Sequence, residues 1–399
     1  MKGYVALFVI SVGLRLAAFT VDMPFFWDVQ TFQVWAAMLF EGGLSDFYYS
    51  DAFTDYPPMY MYVLWLVGAI RYALDLEFLS TEFNLLVFAP AIISDVITVL
   101  LLYRISRSFW VALAYSANPA VILNSSVWGQ VDSIHTLLLF LAIYAVTKKQ
   151  SLPVYLLYGI AVLTKPQSLI AAPVFLYSAF HYWKERGYSG RAALTMFGYA
   201  VAAFSLMAIL SAPFGLRLAL RQYVETVGQR PFATINAYNL YALFGGNWFP
   251  ITPFFALVSA VAIVGVTFMA FWILHRHWNE AAVFFTAALL YIIAFVFSVR
   301  MNERYLFPTL LFLLAAFVFV RNKSDLRIPV LYAAFSATLF LNCLDVLLRI
   351  YEIYLFGGPP QNMVFRPVEA FVAFISFVNV ALALYSLKFG RDLGRWADI

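Results

Sequence analysis

Charge and cysteine are what this sequence has least of. Lys, Arg, Asp and Glu together make up 12% of its 399 residues, and cysteine occurs once, at Cys343. A soluble domain is about a quarter charged, so a water-exposed globule is excluded. With 64% hydrophobic residues, the chain reads as an all-α polytopic membrane protein. A single cysteine in an apolar run excludes an internal disulfide framework and a cysteine metal cluster. Histidine is scarce too. His135, His181, His275 and His277 have no metal-ligand spacing, and no metal is expected. His275 and His277 flank Arg276 at the end of an apolar run and read as interfacial charge. The net charge of +4 is spread along the chain and offers no basic face to nucleic acid. A cleavable signal is not expected, because Arg15 interrupts the first apolar run and no small-x-small pattern follows. No repeat, low-complexity tract or soluble segment divides the chain, which reads as one domain over 1–399.

What is present is a series of apolar runs, about thirteen of them, most near the length that crosses a bilayer. They cover 3–20, 57–74, 82–103, 109–126, 133–147, 152–164, 167–182, 191–214, 248–274, 281–299, 305–320, 327–347 and 367–388. The long polar connections are 21–58, 215–247 and 348–366. Lys and Arg in short loops mark the cytoplasmic side: Lys2, Arg104/Arg107, Lys148/Lys149, 181–191, His275–His277, 321–327 and Lys388/Arg391/Arg395. With these inside, 21–58, 127–133, 165–167, 215–247, 300–305 and 348–366 fall outside. One inconsistency remains. Two full crossings between 57 and 103 would put Arg104 outside, so either one run does not cross or the charge rule fails there.

The first polar connection concentrates acids. Asp22, Asp28, Glu41, Asp46, Asp51 and Asp55 are interleaved with Trp27, Trp35, Tyr48, Tyr49 and Tyr56, without a Lys or Arg. Unpaired acids are costly in lipid and aromatic rings favour the interface, so this is a loop held at a membrane surface. After Asp28, residues Val29, Phe32, Ala36 and Leu39/Phe40 recur at helical spacing. They predict an amphipathic helix lying on the membrane with that face down. Asp28 at its amino end reads either as an N-cap or as a general base for an acceptor hydroxyl. Asp55-Tyr56-Pro57-Pro58 is a helix start, since proline is tolerated in the first turn. Asp55 there is either a cap or a second acid that orients a sugar.

Further motifs follow between apolar runs. Trp128-Gly129-Gln130-Val131-Asp132 combines an aromatic face with hydrogen-bonding groups, which suits a sugar ring; the alternative is an interfacial loop with a tryptophan anchor. Lys165-Pro166-Gln167 breaks a run in two, and interrupted spans often mark binding sites. Lys165 reads as a phosphate ligand or as a snorkelling lysine. In Arg300-Met301-Asn302-Glu303-Arg304-Tyr305, Arg304 can hold two phosphate oxygens, or else Glu303 and Arg304 are merely solvated. Arg15 and Asp95 are intramembrane charges that can pair and fasten the bundle. Asp345 and Arg349, four apart, suit a local helix pair.

The order of these motifs carries more than each alone. Asp28-x6-Trp35, then DYPP, NP…WGQVD, TKPQ and MNERYLFP resembles the GT-C superfamily of integral-membrane glycosyltransferases, over roughly residues 10–310. It is most similar to prokaryotic members related to dolichyl-phosphate-dependent glucosyl- and mannosyltransferases. The segment 236–245 (NAYNLYALFG) also resembles the family's outer-loop pattern. The resemblance implies a GT-C-like bundle of about twelve or thirteen spans, set in a prokaryotic cell membrane with its site facing outward. It implies a polyprenyl-phosphate-linked sugar as donor, no cofactor, and transfer of one hexose with inversion. The acceptor would be a glycan, glycolipid or protein side chain; mannose is expected, with glucose, galactose or arabinose as alternatives. The acid of the first outer loop acts as base in this family, which maps onto Asp28. The WGQVD stretch lines the cavity, which points to Trp128, Gln130 and Asp132. Asp55, Tyr56, Lys165, Gln167, Asn302, Glu303 and Arg304 complete the expected substrate site. The family's later motif commonly has His where this chain has Asn302, so Arg304 and Lys165 would carry more of the phosphate. Two other classes fit parts of the pattern: a lipid-linked-sugar transporter or flippase without chemistry, and an oligosaccharyltransferase or ligase.

Overall fold

The computed structural model describes residues 2–21, 26–50, 53–148, 151–228, 230–320, 323–356 and 368–392. Asp22, Asp51, Lys149, Arg321, residues 357–366 and Arg395 from the sequence reading lie outside the described residues.

Helices dominate. In chain order they are α1 (Lys2–Phe19), α2 (Phe26–Glu41), α3 (Leu44–Phe47), α4 (Pro58–Ala73), α5 (Thr81–Ser106), α6 (Phe109–Ser116) and α7 (Pro119–Ile122). Then come α8 (Asp132–Lys148), α9 (Leu152–Thr164), α10 (Ala172–Glu185), α11 (Gly190–Ser211), α12 (Leu216–Gly228) and α13 (Leu240–Leu243). The last are α14 (Pro253–Arg276), α15 (Glu280–Phe297), α16 (Phe307–Phe319), α17 (Arg327–Phe356) and α18 (Val368–Asp392). Seven of them, α1, α5, α11, α14, α15, α17 and α18, are long and apolar enough to cross a membrane. The architecture is that of an all-α polytopic membrane protein. The other expected runs take different forms. Four are the shorter helices α8, α9, α10 and α16. The run 109–126 is not one helix: it breaks at Ala117-Asn118 and ends in a π-helical turn, Leu123–Val127. The Asn118 side chain caps the restart and also donates to Tyr332 and Ser336 of α17.

α15 and α16 form the centre of the bundle; almost every side chain of both is buried. α11 and α14 lie at the periphery with apolar side chains such as Phe204 and Phe268 exposed, as lipid-facing helices should be. Arg15 and Asp95 do pair, at 3.1 Å and fully buried, and tie α1 to α5. Asp345 and Arg349 pair along α17 and are joined by the Tyr238 hydroxyl.

α1 and α5 run in opposite directions. The Tyr4 and Tyr103 rings meet at 4.7 Å near one end, and Phe19 and Phe88 meet at 5.5 Å towards the other. Arg104 therefore lies on the same side as Lys2, and α5 begins on the far side. α4 reaches that same far side through the short connection 74–80, where Arg71 bonds the Leu76 carbonyl and lies over the Phe78 ring. α2 and α4 lie side by side and run the same way. Phe32 touches Tyr60 near their starts, Phe40 touches Tyr72 near their ends, and Glu41 pairs with Arg71 at 3.0 Å. The run 57–74 thus forms a helix on the far side and not a crossing, which removes the inconsistency at Arg104.

This pairing corrects a second expectation. The face of α2 carrying Val29, Phe32, Ala36 and Leu39 does not lie on lipid. It is buried against Tyr60, Met61, Leu64 and Val67 of α4 and against Phe83 and Val87 of α5. Contact is close enough that a Cβ on Gly68 would fall 2.1 Å from the Ala36 carbonyl oxygen. The amphipathic helix with an open apolar stripe is instead α12. Its Leu216, Leu220 and Val224 are exposed at four-residue spacing, and it follows α11 by one turn at Gly215.

An otherwise helical chain also contains one small sheet. β1 (Thr234–Ile235) pairs in parallel with β2 (Met301–Asn302). It stitches the second long connection to the motif at 300–305.

Candidate functional site

Four stretches converge on the far side of the bundle: the start of α2, the turn between the π-helical segment and α8, the break between α9 and α10, and the β1–β2 stitch. Asp28 lies in the first turn of α2, where a carboxylate complements the helix dipole. Its Oδ2 accepts hydrogen bonds from Trp128 Nε1 at 3.1 Å and Gln130 Nε2 at 2.7 Å. Two donors from alternate residues reach one oxygen because Gly129 sits between them at φ +71°, with its missing Cβ filled by the Phe88 ring. Oδ1 is left without a donor among the described residues.

The neighbouring charges form a chain. The Arg304 guanidinium lies over the Trp128 ring, 5.4 Å from its centroid. It pairs with Glu303 at 2.6 Å, and its Nε lies 3.6 Å from Asp132. Asp132 accepts from Lys165 Nζ at 2.6 Å, and Lys165 lies over the Tyr305 ring. Asp132 and Lys165 are 1% and 2% exposed, so Lys165 does not snorkel. Its position follows from the chain: α9 ends at Thr164, Lys165 is extended, and Pro166 opens a six-residue stretch of 3-10 helix. Isolated charges at that depth would cost several kcal/mol each; here each has an opposite partner.

Two cavities meet at this cluster. The larger, about 700 Å³, is lined by Trp27, Asp28, Phe32, Trp35, Trp248 and Arg349 among others. The smaller, about 320 Å³, is lined by Lys165, Gln167, Ile170, Thr226, Arg300 and Tyr305 among others. Asp55, Tyr56, Arg230, Ile235, Asn302 and Arg304 line both and form the partition. Arg230 Nη2 faces Asp55 Oδ2 across 3.6 Å. Burial pushes the Asp55 carboxyl above the ordinary carboxylate range; Arg230 opposes this and the Asp28 charge adds to it. Burial likewise raises Glu303, against the pull of Arg304.

Of the residues expected from sequence, Asp28, Asp55, Tyr56, Lys165, Gln167, Asn302, Glu303 and Arg304 line one cavity or both. Trp128, Gln130 and Asp132 line neither. They are buried behind the wall, so the WGQVD stretch holds other side chains in place and offers no ring to a sugar. The exposed aromatic faces in the cavity lining belong to Trp27, Phe53 and Trp248. Asp55 does not cap α4; Pro57 occupies the N-cap position. Asn302 replaces the histidine of the resembled motif with a smaller group. Its Nδ2 donates to the Tyr305 hydroxyl and its buried Oδ1 has no partner among the described residues.

Arg230 and Trp248 line the cavities without any signal in the sequence, and Arg300, Arg349 and Trp35, named above without a site role, line them too. Arg300 stands inside a motif already singled out, so its charge was a usable signal. Arg230 and Trp248 lie towards opposite ends of the connection between α12 and α14; backbone bonds such as Trp248 N–H to the Thr234 carbonyl fold that connection back on β1, and the β1–β2 stitch ties it to the site. Among the described residues, no group of three or more His, Cys, Asp or Glu is placed to hold a metal. Compared with known proteins, the chain matches no family model and no curated sequence.

Proposed function

We propose that this protein is a glycosyltransferase that moves one sugar from a polyprenyl-phosphate donor to an acceptor hydroxyl on the non-cytoplasmic side of a membrane. One observation carries the reading. A carboxylate fixed by two neutral donors and a set of arginines share one cavity at the far end of the bundle. That pairing of base and cations is what displacement of a phosphate from an anomeric carbon requires.

In this mechanism the Asp28 carboxylate takes the acceptor's hydroxyl proton as the acceptor oxygen bonds to the anomeric carbon from one face. The bond from that carbon to the phosphate oxygen breaks on the opposite face, which inverts the centre. The polyprenyl phosphate leaves with the electron pair, and its charge rises from one negative towards two. Arginines lining the two cavities meet that developing charge. Trp128 and Gln130 keep Asp28 oriented through Oδ2, which leaves Oδ1 for the proton. No covalent intermediate is needed, and so no second catalytic carboxylate of the kind used in glycoside hydrolysis.

The test uses purified protein, a polyprenyl-phosphate-linked radiolabelled hexose and an acceptor glycan. Asp28→Asn should abolish transfer while the fold and donor binding persist; turnover at the wild-type rate in that variant would remove Asp28 from the role. A second reading, transport of a lipid-linked sugar without chemistry, is favoured by the broken α6–α7 segment and the buried Arg15–Asp95 pair. Acceptor-dependent release of free polyprenyl phosphate separates the two.

A further inference from the structure

The smaller cavity has an excess of positive charge, and that excess does not belong to the residues the motifs suggest. Lys165, Arg230, Arg300 and Arg304 line it, against Asp55 alone. Lys165 is already held by Asp132 at 2.6 Å and Arg304 by Glu303 at 2.6 Å. Both of those acids stand outside this cavity's lining. Among the described residues, Arg230 has only the longer 3.6 Å approach to Asp55. Arg300 forms no ion pair among the described residues, and its buried Nε has no hydrogen-bond partner there.

Arg300 is also held in place by its backbone. It adopts φ +64°, a left-handed conformation that a non-glycine residue enters at some cost. Its N–H donates to the carbonyls of Phe232 and Ala233, both at 3.2 Å, beside the β1–β2 stitch. A strained residue fixed at both strands presents its guanidinium from a rigid base. The same cavity carries two buried acceptors without partners among the described residues, Gln167 Oε1 and Asn302 Oδ1. Those would repel a phosphate and suit the hydroxyls of a sugar. Ile170, Val299 and Met301 add an apolar border.

We infer that the smaller cavity is the seat of a phosphate ester whose anion is gripped by Arg300 and Arg230, while Lys165 and Arg304 serve mainly as counter-charges to Asp132 and Glu303. The sugar hydroxyls of such a ligand face Gln167 and Asn302, and the larger cavity on the Asp28 side is left to the acceptor. The inference deepens the reading above and rests on it for the class of substrate. The shared chemistry is a phosphate, whether lipid-borne or free.

The experiment titrates the full-length protein in lipid nanodiscs with farnesyl phosphate, farnesol and inorganic phosphate by calorimetry. Farnesyl phosphate should bind and farnesol should not. Arg300→Gln and Arg230→Gln should each weaken binding about ten- to a hundredfold, the range for losing one charge-assisted hydrogen bond. Arg300→Lys, which keeps the charge, should recover most of the loss, and a thermal midpoint on each variant separates lost binding from lost folding. Tighter binding of farnesyl phosphate than of inorganic phosphate identifies a lipid-borne ester; equal affinity identifies free phosphate; either upholds the anion site. Wild-type affinity in Arg300→Gln, or farnesol binding as tightly as its phosphate, would overturn it. The assay contains no transferable sugar. A protein that binds as described yet transfers nothing would sink the glycosyltransferase reading and leave the anion site standing.

Discussion

Gly129 decides where Asp28 points. Its positive φ and the Phe88 ring at the vacant Cβ position let Trp128 and Gln130 converge on a single oxygen. Gly129→Ala would place a methyl 2.3 Å from that ring in a conformation that L-residues disfavour by about 1–2 kcal/mol. The variant should keep its fold at a lower thermal midpoint and lose most turnover, with KM for donor nearly unchanged; an unaltered kcat would show that the two donors are dispensable. Asp55 gives a second prediction, in pH. Its carboxyl is raised by burial, so it holds its proton more tightly folded than unfolded. It supports the native state fully below the unfolded value of about 3.9 and withdraws that support as pH rises towards the folded one. Asp55→Asn should therefore flatten the fall in thermal midpoint as pH rises above about 4; a variant with the wild-type slope would assign the slope to Glu303, which is raised the same way. Residue-scale chemistry was only partly legible in the sequence. Asp28 stood out because its loop is acidic and aromatic. Which cations remain free once Asp132 and Glu303 have taken partners depends on distances that no spacing encodes.

At the scale of elements, the α2–α4 pair and the buried ion pair do the positioning. Gly68 lets α4 approach the Ala36 carbonyl, and any side chain there forces the helices apart. Gly68→Ala should cost about 1–3 kcal/mol, the usual range for overpacking. It should also shift Phe32 and Tyr60, which flank the start of α2; calorimetry on detergent-solubilised protein checks the first and Asp28-dependent activity the second. Removing one partner of Arg15–Asp95 leaves the other charge buried and should cost about 3–5 kcal/mol, whereas replacing both with apolar residues of similar volume should recover most of that loss. Helical periodicity was read correctly along α2, yet the surface it covers was misassigned. Periodicity gives an apolar face and says nothing about what lies against it; a neighbouring helix and a lipid layer ask the same of Val29, Phe32, Ala36 and Leu39. The break at Lys165-Pro166 was legible, because proline stops a helix for local reasons. The β1–β2 stitch was not, since two residues at each end of a 66-residue separation carry no period.

For the whole molecule, the side of the membrane is the testable quantity. The geometry puts Arg104 with Lys2 and puts 74–80 opposite. With Cys343 replaced by alanine, Ser45→Cys and Asp75→Cys, on either side of α4, should react with an impermeant maleimide from the same side of oriented vesicles, and Arg107→Cys from the other. Labelling of Ser45→Cys and Asp75→Cys from opposite sides would restore α4 as a crossing. Composition made the class of the molecule plain, because so few charges in so long a chain exclude every soluble architecture. The number of crossings was less readable: short helices such as α9 and α16 are as apolar as the seven long ones and differ in length alone. The partition of Asp55, Tyr56, Arg230, Asn302 and Arg304 has one more consequence. Adjoining rooms with a common wall admit two reactants together, and neither has to depart before the other arrives. Initial-rate lines measured at several fixed concentrations of the second reactant should then intersect, the signature of a ternary complex, and not run parallel as they would for a shuttle through a modified enzyme.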